Sequence, residues 1–226
     1  MISVFDMFSV GIGPSSSHTV GPMNAAAEFV DELKRQQLIN RVTHLTTELF
    51  GSLGQTGKGH GSGKAVILGL LGERPETVDV DSIDTRLADI DTNESLNLGG
   101  EKSIRFPRTK AIVFHRRKPL PRHANAMTLH AFDGENLLLS QTYYSIGGGF
   151  IVRDDQWDVA RQEAKQISST VPFSFRTANQ LLSLCKEQGL SISALMLKNE
   201  QALHPGKDIK TRLQELWMTM DACIER

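Results

Sequence analysis

The chain has 226 residues, of which 39% are hydrophobic and 23% are charged, and its formal net charge is -1. This composition is typical of a globular protein, and the near-zero charge excludes a strong overall field that would attract nucleic acid or a membrane surface. The two cysteines, Cys185 and Cys223, are too few and too far apart for a disulfide framework. The N-terminus lacks a signal-peptide pattern and no apolar run is long enough to span a bilayer, so we predict a cytoplasmic protein.

The first distinctive motif is a serine-rich loop that leads into a helix. Residues 15–19 read Ser-Ser-Ser-His-Thr, and apolar residues then recur at helical spacing from Met23 to Leu33. Hydroxyl groups and free N–H groups at a helix N-terminus bind carboxylates or phosphates, and the helix dipole disfavours a protonated His18 there. The pattern predicts either an anion site with a neutral histidine or a helix cap beside a surface histidine, and composition leaves both open.

A glycine-dense loop is predicted from Gly51 to Gly63, between a strand at 42–50 and an apolar helix at 65–71. Such glycine density lets a backbone approach a ligand closely, or it makes a flexible loop. The nucleotide-binding P-loop requires serine or threonine after its Gly-Lys pair, whereas glycine or alanine follows both Gly-Lys pairs here. The loop is therefore a poor match to a nucleotide-binding motif, and His60 is its notable side chain.

Two later segments carry polar groups beside predicted strands. His123 and Asn125 lie on one face of an extended chain, although this pair alone fits a structural histidine better than a site. The triple glycine at 147–149 indicates a bulged edge or a nest of N–H groups for an anion. His18, His60 and His123 have neither short ligand spacing nor accompanying carboxylates, so a zinc site is the weaker interpretation.

The order of predicted elements indicates an α+β domain at 1–153 with a small, mainly antiparallel sheet and packed helices. A linker at 154–172 and the start of a helical domain at 173–226 follow. The apolar stripe of the last predicted helix expects partners beyond Arg226, so we predict that the chain is truncated. The predicted strands after residue 110 are 111–114, 127–132, 137–144 and 150–152, and the predicted helices are 84–91 (within a mixed segment, 74–108), 177–188, 191–204 and 208–226.

Three motifs carry a resemblance to a known family: Ser-Ser-Ser-His-Thr-Val-Gly-Pro-Met at 15–23, Gly-Ser-Leu with Thr-Gly-Lys-Gly-His at 51–60, and Tyr-Tyr-Ser-Ile-Gly-Gly-Gly-Phe at 143–150. In order and spacing they resemble the N-terminal half of bacterial single-chain iron-sulfur-dependent L-serine dehydratases. The resemblance implies a first domain similar to the allosteric substrate-binding domain of some phosphoglycerate dehydrogenases. It also implies a helical catalytic domain whose 4Fe-4S cluster is held by cysteines in the absent C-terminal half, with no metal ligand in this chain.

The implied reaction is β-elimination of water from L-serine, giving pyruvate and ammonia, with the cluster as a Lewis acid. The resemblance favours His60 as the base that removes the Cα proton, with His18 as second choice or as its orienting partner. It also implies a homodimer, contact with the rest of the catalytic domain, and no activity for this chain alone, and it leaves threonine open as a substrate. The substrate-binding residues it implies are Ser15, Ser16, Ser17, Thr19, Lys58, His123, Asn125, Gly147, Gly148 and Gly149.

A different class of function also fits the residues. In a small-anion-binding regulatory module, the serine cluster would bind an acid and the histidines would have no catalytic role. The predicted helices after residue 170 favour the enzyme, since a purely regulatory module does not require them.

Overall fold

The computed structural model describes residues 3–8, 10–167 and 171–225, which form two compact units. One unit is Val10–Gln156, and the other combines residues 3–8 with those from Trp157 onward. The predicted linker at 154–172 begins near this boundary, but its residues 157–167 form a helix and its residues 168–170 lie outside the described part of the chain. Arg226, where the last predicted helix ends, also lies outside it.

Helices occur in both units, whereas all strands found in the described residues lie in the Val10–Gln156 unit. The α-helices are α1 (Val4–Met7), α2 (Gly21–Arg35), α3 (Gly51–Thr56), α4 (Ser62–Leu70), α5 (Ile83–Asn93), α6 (Arg108–Ala111), α7 (Trp157–Ile167), α8 (Ala178–Gln188), α9 (Ile192–Leu203) and α10 (Ile209–Glu225). The strands are β1 (His44–Phe50), β2 (Ser95–Leu98), β3 (Lys102–Arg105), β4 (Ile112–His115), β5 (Asn125–Asp133), β6 (Asn136–Gly147) and β7 (Phe150–Arg153). The α+β prediction is confirmed.

The main sheet has the strand order β4-β1-β5-β6-β7 and is antiparallel except for the β1–β4 pair, which is parallel. Alternation along β1 turns Leu45, Thr47 and Leu49 to one face, where they are buried. Phe29 and Leu33 of α2 belong to the same apolar cluster as Leu45 and Leu49. The core of this unit therefore lies between one face of the sheet and the helices that cover it, chiefly α2 and α4.

Two parts of this unit differ from the sequence-based expectation. The predicted glycine loop begins with a helix, α3, because Gly54 and Gly57 pack closely rather than adding flexibility. A Cβ atom on Gly54 would lie 2.3 Å from the carbonyl oxygen of His115, and one on Gly57 would lie 2.2 Å from that of Leu53. The second difference is a two-stranded antiparallel sheet, β2 with β3, in a segment where only a helix was predicted.

The helical unit holds the short helix α1 through buried polar contacts. Glu200 on α9 is only 4% exposed, and its carboxylate accepts hydrogen bonds from Ser3 Oγ at 2.7 Å and from the N–H of Val4 at 2.8 Å. The guanidinium of Arg212 lies 3.7 Å from the ring centroid of Phe5. These contacts tie the N-terminal residues to α9 and α10. Among the described helices, none has the length and apolar character needed to cross a membrane.

Candidate functional site

The predicted serine-rich motif forms the start of a long helix. Ser15 has extended dihedral angles and its hydroxyl accepts a hydrogen bond from the N–H of His18, so it caps a π-helical turn, Ser16–Val20. That turn runs directly into α2. Ser16 is exposed and Ser17 is partly exposed, whereas Thr19 is buried. The turn therefore presents hydroxyl groups at the positive end of a helix dipole.

A sharp turn after β1 brings the hydroxyl group of Ser52 to the ring of His18. Gly51 has φ +56°, its N–H donates to the carbonyl of Lys118, and the N–H of Ser52 donates to the carbonyl of Ala124. This backbone path lets Ser52 Oγ lie 3.0 Å from His18 Nε2. Glycine is required at position 51 because a Cβ atom there would lie 2.2 Å from the Ala124 oxygen.

His18 and His60, the two predicted catalytic residues, lie together in the structure. Their ring centroids are 4.9 Å apart and the ring planes are inclined by 42°. Two hydrogen bonds link the segments that carry these histidines. Thr19 Oγ1 donates to the carbonyl of His60, and Ser62 Oγ donates to the carbonyl of His18. The glycine-rich segment is therefore fastened to the helix that carries His18.

The hydrogen bonds of His60 define which ring nitrogen can act as a base. Its Nδ1 lies 3.0 Å from the carbonyl oxygen of Thr56, which can only accept, so Nδ1 carries the proton in the neutral ring. The lone pair is then on Nε2, for which the described residues provide no hydrogen-bond partner. His60 thus offers a basic nitrogen to a ligand.

The environment of His18 disfavours protonation of its ring. Its Nδ1 lies 3.0 Å from Ser17 Oγ and its Nε2 lies 3.0 Å from Ser52 Oγ, so hydroxyl groups engage both nitrogens. Burial lowers the pKa of His18 below its ordinary value of 6.5, and repulsion from His60 lowers it further, while a hydrogen bond with Ser52 acts in the opposite direction. Protonating His18 beside His60 is therefore disfavoured.

We expect His18 to titrate below pH 6.5, and we expect His60→Ala to raise its pKa because the change removes both a like charge and part of its burial. The pKa is measured from the pH dependence of the ring Hε1 shift by NMR. His44→Ala is the matched control, since His44 stacks on Phe132 and should not affect His18. An unshifted His18, or equal effects of the two substitutions, would contradict this electrostatic arrangement.

Asn125, and His123 through it, connect to the turn at Gly51 by backbone contacts. Asn125 forms a bridge with Gly51, its side chain donates to the carbonyl of Ser145, and its N–H donates to His123 Nδ1. Ser145 lies so close to the start of α2 that a Cβ atom on Gly21 would be 2.1 Å from Ser145 Oγ. That buried hydroxyl has no hydrogen-bond partner among the described residues.

The triple glycine contacts α2 near its start, whereas Lys58 lies beside β4. The carbonyl of Gly149 accepts a hydrogen bond of 3.0 Å from Asn24 on α2, and Gly147, Gly148 and Gly149 all have positive φ angles. The Lys58 ammonium lies 5.6 Å from the ring centroid of Phe114, in a cavity described below. The contacts among the described residues thus place Lys58 beside β4 rather than in the hydroxyl network of His18.

Sequence reasoning did not assign a role to two serines that contact His18. Ser52 binds its ring and Ser62 binds its carbonyl oxygen. The only available signal for Ser52 was its place after a predicted strand, next to a glycine, inside a motif of the family resemblance. Ser62 had no such signal, since its contact depends on how the glycine segment packs on the helix.

The residues present do not fit the implied 4Fe-4S cluster. Such clusters are usually held by four cysteine thiolates. The whole chain has two cysteines, Cys185 and Cys223, and the described residues contain no group of three or more histidine, cysteine or carboxylate side chains placed to hold a metal ion. The cluster would therefore need ligands from outside this sequence.

Comparisons with known proteins agree with these motifs. The chain is 50% identical to an L-serine dehydratase of Streptomyces coelicolor over 226 residues, 47% identical to L-serine dehydratase 1 of Escherichia coli and 42% identical to an L-serine dehydratase of Haemophilus influenzae. Each match covers 100% of this chain and 49% of the relative, so the chain spans about half the length of these proteins. The family model for the serine dehydratase beta chain matches residues 3–156. The chain therefore belongs to the serine dehydratase beta chain family.

Proposed function

We propose that this chain supplies the general base and the substrate-carboxylate site of an L-serine dehydratase. The observation that carries the proposal is the arrangement of His60. Its Nε2 has no hydrogen-bond partner in the described part of the chain, and its ring centroid lies 4.9 Å from that of His18, at the start of a long helix. Family membership supports the proposal, since the relatives named above are L-serine dehydratases. The matched residues are 49% of each of those proteins.

The carboxylate of L-serine is assigned to the π-helical turn before α2. The N–H groups of a helix's first turn have no intrahelical acceptors, and the helix dipole stabilises a negative charge there. Ser15 and Ser17 add hydroxyl groups, with Ser16 exposed beside them. The pocket borders at His123, Asn125 and Gly147–Gly149 remain predictions from the family resemblance.

His60 is assigned as the base that removes the Cα proton of the bound substrate. Its Nδ1–H bond to Thr56 fixes the tautomer, which leaves Nε2 free to accept the proton. His18 is the poorer candidate because hydroxyl groups engage both of its nitrogens. We assign His18 to orient the adjacent ring and to remain neutral, so that no second positive charge opposes protonation of His60.

The chemistry balances as loss of one water from serine. His60 takes the proton from Cα, the C–H electron pair forms the Cα–Cβ double bond of 2-aminoacrylate, and the Cβ–O bond breaks. The departing hydroxide takes the proton back from His60 and leaves as water, so His60 returns to its neutral form. Tautomerisation to the imine and hydrolysis then give pyruvate and ammonia. The proposal places the iron-sulfur cluster in the part of the parent protein that corresponds to the unmatched half of the relatives, because two cysteines do not suffice here.

Further parts of the proposal concern the parent protein as a whole. Trp217 and Ile224 on α10 are 60% and 79% exposed, which fits a helix that packs against the rest of the catalytic domain. We also retain a homodimer and a cytoplasmic location as proposals from the family resemblance. L-threonine, which differs from L-serine by one methyl group, is the test of how closely the pocket encloses Cβ.

The full-length parent, purified without oxygen, should release pyruvate and ammonia in equal amounts from L-serine and neither from D-serine, which presents its Cα proton to the opposite side. Pyruvate is measured with lactate dehydrogenase, and ammonia with glutamate dehydrogenase. L-threonine in the same assay gives 2-oxobutyrate if the pocket admits the methyl group. A purified, cluster-loaded protein that binds L-serine without forming pyruvate would favour the regulatory module instead.

A further inference from the structure

A cationic cavity lies beside the edge strand β4, on a part of the first unit that the proposed reaction does not use. Its volume is about 580 Å³, which falls within the usual range for small-molecule sites. It lies between the start of α4 and the segment from α6 to the end of β4. Four of its described lining residues are basic, and none is acidic. These four are Lys58, Lys64, Arg108 and Arg116.

Ion pairs leave much of this positive charge available. Lys64 contacts Asp84 at 3.2 Å, but that carboxylate is 91% exposed, and such a pair contributes little in water. Arg108 contacts Asp91 at 2.9 Å. Both partners are surface carboxylates outside the cavity lining, so a ligand with several negative charges could compete with them.

Two further features indicate that this cavity is a site for a phosphate-bearing ligand and not only a cluster of surface cations. Gly61 and Gly63 line the cavity at the first turn of α4, where the helix dipole adds positive potential. Phe114, Ile112 and Val113 form an apolar side, and a Cβ atom on Gly63 would touch the Phe114 ring at 3.4 Å. The cavity thus joins a cationic side to an apolar wall.

We propose that this cavity binds a small organic or inorganic polyanion that carries at least two phosphate groups. Four cations match the charge of a diphosphate better than that of a monocarboxylate amino acid, and arginine guanidinium groups bind phosphate oxygens in pairs. Since Lys58 and Gly61 flank His60 in sequence, a ligand held by them restrains the segment that carries the proposed base. Binding in this cavity does not require the proposed dehydratase activity.

Inorganic pyrophosphate is the first probe, titrated into the 226-residue chain by calorimetry at constant ionic strength. We expect saturable binding at one site and affinity about tenfold weaker for orthophosphate, which has fewer charges and loses about 1.4 kcal/mol. Arg116→Ala should weaken pyrophosphate binding about tenfold, because it removes a charge-assisted contact to the phosphate oxygens. Adenosine diphosphate tests whether the apolar wall adds affinity.

Arg117→Ala is the matched control, because it removes the same charge from the next residue, which is exposed and does not line the cavity. Its affinity for pyrophosphate should stay within about twofold of the parent chain. Amide NMR shifts should centre on Gly63 and Lys64. Equal losses in the two arginine variants, no saturation at millimolar pyrophosphate, or shifts centred on Ser16 and Ser17 would overturn the proposal.

Discussion

His60→Ala in the full-length parent should lower kcat for L-serine by about 10³-fold, within the range of about 10²–10⁴ that general-base catalysis contributes. The substitution removes the proposed base, whose Nε2 has no hydrogen-bond partner among the described residues, whereas the proposed carboxylate site at Ser15–Thr19 keeps its groups. KM for L-serine should therefore change much less than kcat. Pyruvate release at a series of serine concentrations separates the two constants, and visible absorbance shows whether the proposed iron-sulfur cluster is still present.

His44→Ala is the matched control for that substitution. It removes a histidine of the same unit that stacks on Phe132 at the opposite end of β1 from Gly51, so kcat should be unchanged. His18→Ala should lower kcat less than His60→Ala, because it removes an orienting neighbour rather than the base. Retained turnover in His60→Ala, with loss in His18→Ala, would transfer the role of base to His18.

Gly51→Ala should lower the melting temperature of the first unit by about 6–12 °C. The left-handed conformation at φ +56° costs a residue with a side chain about 1–2 kcal/mol, and the close approach of the new Cβ to the Ala124 oxygen adds about 1–3 kcal/mol. Together they lower the free energy of unfolding by about 3 kcal/mol, which gives a melting-temperature shift of about 6–12 °C for a chain of this size. Thermal unfolding followed by circular dichroism measures it. Ser52 should also move from His18, so turnover in the parent should fall.

Gly134→Ala separates the two contributions. Gly134 has φ +58°, almost the same angle, but a Cβ atom there would meet nothing within 4 Å. It should therefore lower the melting temperature less, by about 2–8 °C, the effect of the left-handed backbone alone. Equal shifts for the two variants would show that the contact with Ala124 has no importance.

The strands of the main sheet were predictable from local pattern, whereas their arrangement was not. Alternation in β1 and the Asp133-Gly134 turn between β5 and β6 follow from nearest-neighbour sequence. The position of β4 parallel to β1 depends on contacts across more than 60 residues, about which local periodicity carries no information. Gly54 and Gly57 misled the prediction at α3, because a glycine that permits close packing has the same sequence signal as one that forms a loop.

The candidate site was predictable in its residue types but not in its contacts. A histidine at a helix start and a histidine among glycines indicated His18 and His60 separately, and the structure brings their rings together. The bond between Ser52 and His18 required the turn at Gly51, whose geometry depends on Ala124. The position of Lys58 over Phe114 likewise depends on how the glycine segment packs on β4.

Imidazole rescue of the full-length His60→Ala protein tests the role of His60 as the base most directly. Free imidazole can enter the space left by the side chain, so pyruvate release from L-serine should rise with imidazole concentration and follow its unprotonated fraction as pH changes. His44→Ala should show no such response. If imidazole leaves the His60→Ala rate unchanged but restores turnover to His18→Ala, the proton is taken by His18 and the assignment of His60 is wrong.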